Sequence, residues 1–98
     1  MTRPRPARGR RVVIRVQTGV RLEKHVLLVL KGLATALDLK LGDLLEGIVL
    51  HAFEGKAPFR SETMKKIRVL RNVYGLKLSA SDSHLLIEKR RRVPPRAP

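Results

Sequence analysis

From Arg11 to Thr18 the chain reads RVVIRVQT, a two-residue alternation in which Val12, Ile14 and Val16 share one face and Arg11, Val13, Arg15 and Gln17 the other. β-branched residues fill the first set and long polar ones dominate the second, which predicts a half-buried strand closed by Gly19. Beyond Gly19 the period becomes helical. Leu22, Val26, Leu30, Leu33 and Leu37 predict a first helix over about 21–37, and Leu27, Leu28 and Val29 widen its apolar surface so far that more than one side needs cover. Asp38-Leu39-Lys40 is a short connection. A second helix follows, with Leu41, Leu44, Leu45, Ile48, Val49 and Ala52 at i, i+3, i+4, i+7, i+8 and i+11, ended by Gly55 and Pro58. Ser61 is the expected N-cap of a third helix that holds Met64, Ile67, Leu70 and Val73 and stops at Gly75 as C′. Leu76–Ser79 reads as a loop or a short strand, and a short last helix is expected from Ser81 or Ser83 through Leu85, Leu86 and Ile87.

One strand among helices is an incomplete structure, because half or more of its backbone N–H and C=O groups have no partner. Antiparallel pairing with a second copy of itself in a twofold dimer satisfies them. It also lets Val12, Ile14 and Val16 of each copy form a dimer core over the first helix. The competing arrangement is a ladder between residues 12–18 and 76–79 of one chain.

Charge adds a partner to this picture. The 98 residues hold 22 Lys and Arg against 8 Asp and Glu, a net charge of +14. Ten of the basic residues lie in two Pro-rich ends, MTRPRPARGRR and EKRRRVPPRAP. Pro and Arg at that density build neither core nor ladder, so residues 1–10 and 91–98 are expected to be disordered basic arms. Lys and Arg on such arms release condensed counterions when they meet phosphates, which makes nucleic acid the expected partner. A chain this short buries only about 60–65% of its unfolded surface alone, which again favours an oligomer.

Strand, helix, short turn, helix, after a basic arm: at residues 11–54 the chain resembles the ribbon-helix-helix family, the fold of the Arc and methionine repressors. VVIRVQTG corresponds to the ribbon, and LKGLATALDLKLGDLLEGIVLHAF to the end of the first helix, the turn and the second helix. Ala34, Leu37, Leu44, Leu45 and Ile48 stand where members commonly carry alanine, leucine and a leucine-rich second helix. Asp38 and Lys40 depart from the pattern, occupying places where many members have Gly and a Ser or Thr cap. The resemblance implies a mainly α ribbon-helix-helix dimer with a helical C-terminal extension over 55–90. It also implies a two-stranded ribbon inserted in the DNA major groove. On the matching positions Val13, Arg15 and Gln17 meet base edges, with Arg11 and Thr18 at the ribbon's margins touching the DNA backbone. The chemistry is suited to this: arginine pairs with guanine O6 and N7, glutamine with adenine N6 and N7, and valine packs on a thymine methyl. The resemblance further places a phosphate at the start of the second helix, on the backbone of Lys40, Leu41 and Gly42.

Other chemistries find little support. There is no cysteine, hence no disulfide or thiolate metal site. His25, His51 and His84 form no metal-ligand spacing, and no P-loop or dinucleotide fingerprint occurs. Ser81-Asp82-Ser83-His84 holds triad residue types without the geometry a triad needs. Three aromatics do not make a stacking platform for single strands. No enzyme, cofactor or metal is expected. The longest apolar run, Val26–Leu30, is far short of the ~20 residues that cross a bilayer, and Arg15 and Arg21 interrupt any secretory apolar stretch. The resulting expectation is a sequence-specific DNA-binding regulator of transcription, cytoplasmic and associated with the nucleoid. Two alternatives carry different partners: an antitoxin-type regulator that engages a protein through residues 60–92, and a nucleoid-architectural protein with little sequence preference.

Overall fold

The computed structural model describes residues 10–89. The two expected arms lie outside that range, Arg10 excepted. The chain is mainly helical: α1 (Lys24–Ala36), α2 (Leu41–Phe53) and α3 (Ser61–Tyr74) are followed by a single 3₁₀ turn, Ala80–Asp82.

α1 begins three residues later than the apolar spacing predicts, because Glu23 takes the N-cap position. Its Oε1 accepts the Val26 N–H at 2.9 Å and its Oε2 the His25 Nδ1–H at 2.8 Å. All three helices then end alike, with a left-handed residue just past the last turn: Asp38 (φ 58°), Gly55 (φ 68°) and Gly75 (φ 70°). At each end the N–H of the next residue folds back onto the helix, Leu39 to Ala34 O (2.8 Å), Lys56 to His51 O (2.8 Å) and Leu76 to Arg71 O (2.8 Å). These are Schellman closures, which satisfy carbonyls that a helix end otherwise leaves bare. Asp38 therefore does the work of a turn glycine, a conformation that aspartate tolerates better than most residues.

Two sequence expectations are corrected. Ser61 is the first residue of α3 rather than its N-cap; Arg60 holds the cap position in extended backbone and makes no side-chain cap bond. The last helix is only the turn Ala80–Asp82, closed by the Ser79 N–H on Asp82 Oδ2 at 2.8 Å and stopped by His84 at φ 66°. Leu85, Leu86 and Ile87 stay exposed beyond it.

α1 lies between α2 and α3, which make no mutual helix contact. Leu33, 2% exposed, centres the core with Ala34 and Leu44. Leu30, Leu37, Ile48, Phe59, Ile67 and Leu70 pack around them. The broad apolar surface of α1 is thus covered on two sides, as its composition requires. α3 approaches closely at Gly32, where an added Cβ would stand 3.0 Å from Leu70 Cδ2 and 3.3 Å from Tyr74 Cε2.

Among the described residues no strand forms within the chain. Residues 10–22 run over the surface without a ladder partner, and Leu76–Ser79 form a loop in which Arg71 Nη2 donates to Leu78 O at 2.6 Å. The single-chain ladder between 12–18 and 76–79 is therefore not made. A ladder needs two strands, and among the described residues Leu76–Ser79 do not supply a second one.

Candidate nucleic-acid interface

α2 presents two faces. Leu44 and Ile48 turn inward toward α1, while Leu45, Glu46, Val49 and Leu50 border an open groove with Arg11, Val13, Ile14 and Arg15. The alternating segment thus lies on the side of α2 turned away from the core. It is held there by charge. Arg15 Nη2 lies 2.8 Å from Glu46 Oε1 and 3.1 Å from Asp43 Oδ1, and its Nε donates to Glu46 Oε2 at 3.0 Å. Asp43 and Glu46 are three residues apart, one turn of helix, so both reach the same guanidinium. The hydrogen bond from Arg15 holds the Glu46 carboxyl below the usual glutamate range. That bond and the two negative charges push the guanidinium's pKa up still further.

In the single chain the expected dimer-core face is not buried: Arg15 pairs with α2, and Val13 and Ile14 border the same groove, yet Val12, Ile14 and Val16 are all largely exposed, Ile14 at 94%. The physical reason is that one chain has no second strand against which to bury three β-branched residues. The local carboxylates then hold Arg15 against α2. Gln17 and Thr18 are exposed, as is Arg11.

The expected phosphate contacts, Lys40, Leu41 and Gly42, fall at the start of α2. Lys40 is the N-cap in extended backbone, and its side chain makes no cap bond to the N–H groups of the first turn. A Cβ at Gly42 would meet nothing within 4 Å, so the surface beside Gly42 is open. Through Asp43, in the same turn, Arg15 joins the two halves of the expected interface. That clasp was not foreseen from sequence, although Asp43 and Glu46 at one-turn spacing on an otherwise apolar helix are its signal. A second long-range pair, Arg21 with Glu88, was equally unforeseen; Arg21 Nε lies 3.2 Å from Glu88 Oε1 and lowers that carboxyl's pKa by the hydrogen bond.

The histidines are apart. His25 binds Glu23, and His51 Nδ1 donates to Gly47 O at 2.7 Å within α2. Among the described residues no group of three or more His, Asp or Glu is placed to hold a metal ion, and no helix is long and apolar enough to cross a membrane. Comparison with protein-family models, with curated proteins and with solved structures finds no match to this chain.

Proposed function

We propose that the chain is a sequence-specific DNA-binding protein that acts as a homodimer, most simply a transcriptional regulator, and that its residues 11–18 pair with a second copy to form a ribbon for the major groove. One observation carries this reading: an alternating β-branched and cationic segment lies unladdered on the surface, with Val12, Ile14 and Val16 largely or fully exposed, in a chain of net charge +14. Such an edge is a template for another strand. The twofold register that keeps Arg15 from facing its own copy sets Ile14 opposite Ile14, and Val12 opposite Val16 of the other chain. Forming the ribbon re-seats the segment on α2. The three valine and isoleucine side chains go inward, and Arg15 exchanges carboxylates for a base edge. Lys40, Leu41 and Gly42 then meet the flanking phosphates.

The absence of native cysteine makes the test direct. Ile14→Cys should cross-link to its own copy under mild oxidation, with the yield enhanced by duplex DNA, and Arg15→Ala should lose binding to a selected site at least tenfold more than to random duplex. A monomer at all concentrations with no cross-link overturns the ribbon. Equal loss on both DNAs overturns base reading by Arg15.

The protein-partner alternative retains one specific support. Leu85, Leu86 and Ile87 are exposed beyond the 3₁₀ turn, whereas α3 is already packed on α1. A partner protein would therefore engage the segment after α3 rather than fold α3 itself.

A further inference from the structure

The face of α3 turned away from α1 carries its own pattern. Ile67, Leu70 and Tyr74 point to α1, and Ser61, Lys65, Arg68 and Asn72 recur at i, i+4, i+7 and i+11 along the opposite, exposed side. This row of hydrogen-bond donors is about 16 Å long. It runs on into a shallow depression at the end of α3 bordered by Arg68, Arg71, Asn72 and Lys77. α3 holds Lys65, Lys66, Arg68 and Arg71 against one carboxylate, Glu62. Among the described residues the ion pairs use Arg15, Arg21, His25 and Lys56, and none draws on a cation of α3. Arg71 and Lys77 offset the negative end of the helix dipole, but that effect fades within the last turn. Lys65 and Arg68 lie farther back and are not explained by it.

We infer that the Lys65–Arg68–Asn72 row, continued by Lys77, is a second phosphate-contacting surface that holds a separate DNA segment, so that one molecule bridges two duplexes. The inference rests on the DNA-binding reading of residues 11–18 and goes beyond it. Those residues lie on the outer side of α2, with α1 between α2 and α3, so the two surfaces belong to different sides of the helical core. A duplex seated at one leaves the other open. The lysine and arginine charge of the row suits phosphate oxygens, a contact that carries no sequence information.

The test uses the full chain, a bead-bound duplex and a second, labelled duplex of random sequence. Wild type should retain the labelled duplex in proportion to bound protein. Lys65→Gln/Arg68→Gln should lower that capture at least fivefold while binding the first duplex within threefold of wild type, with both terminal arms intact. Lys65→Arg should keep capture at the wild-type level. Wild-type protein that binds the first duplex but captures no second one overturns the inference and leaves the ribbon reading standing. Full capture by the Lys65→Gln/Arg68→Gln variant also overturns it, and assigns bridging to the arms. A chain that binds no duplex at all overturns both readings.

Discussion

Arg15 and Glu46 form a two-pronged pair, with Nη2 2.8 Å from Oε1 and Nε 3.0 Å from Oε2. The same paired donors are what an arginine offers a guanine edge. The carboxylates of α2 therefore occupy the donors that, on the proposed reading, a base edge would take. All three partners, Arg15, Asp43 and Glu46, remain substantially exposed, so water and salt screen the pairing and the exchange is readily made.

Removing the competitor should strengthen DNA binding. Asp43→Asn/Glu46→Gln keeps the shape of α2 and takes away both charges, and a gain of about threefold to tenfold in duplex affinity at 0.1 M salt is expected. Two lost negative charges would favour DNA even without a clasp. The decisive comparison is therefore the same pair of substitutions in an Arg15→Ala background, where the gain should be clearly smaller. Equal gains in both backgrounds would show that Arg15 is not restrained by its own helix.

The clasp also has a pH signature. Hydrogen bonding to Arg15 lowers the Glu46 pKa in the folded chain. A carboxyl with a depressed folded pKa favours the folded, clasped form above its unfolded pKa, and loses that contribution as pH falls through the folded value. Arg15 stays charged throughout this range, so the guanidinium adds no window of its own. Side-chain NMR titration should find Glu46 below the usual glutamate range in wild type and back within it in Arg15→Ala. An unchanged midpoint would place the guanidinium elsewhere in solution.

Helix positions were legible in the sequence because their signals are local. The i, i+3, i+4 rows of α2 and α3 and the glycines at 55 and 75 depend on residues within a few positions of each other. The start of α1 was misread because apolar spacing carries on through Leu22, while the real boundary is set by one carboxylate, Glu23, that bonds to Val26. Ser61 was read as a cap on residue type alone, one position too late. The pairing of Arg15 with Asp43 and Glu46 spans 28 and 31 residues, and the Arg21–Glu88 pair 67, distances at which sequence pattern is silent. The alternation of residues 11–18 was legible, but which face turns inward depends on whether a second strand is present, and that is not a property of one chain's sequence.

The end of α1 contains a correctable strain. Asp38 sits at φ 58°, where its Cβ crowds the backbone and glycine would not. Asp38→Gly relieves that cost but raises the entropy of the unfolded chain, and the difference favours the variant by about 0.5–1 kcal/mol. Urea titration should show a higher midpoint with an unchanged slope. A lower midpoint would mean that the Asp38 side chain contributes more to the turn than its backbone costs.

Leu33 and Ile14 separate the stability of the helices from that of the proposed dimer. Leu33 is 2% exposed at the meeting point of α1, α2 and α3, so Leu33→Ala leaves a cavity and should cost about 2–5 kcal/mol. That loss comes from within one chain and is independent of protein concentration. Ile14 is 94% exposed in the single chain, so removing its side chain there loses almost no contact. Folding coupled to association makes Tm rise with concentration, because the partner acts as a ligand of the folded form. Ile14→Ser should abolish that rise and lower Tm toward the value for the isolated chain, with helical circular dichroism retained at low temperature. If Ile14→Ser melts like wild type at every concentration, the exposed valine and isoleucine face is not buried between copies, and the strand has no mate in a second molecule.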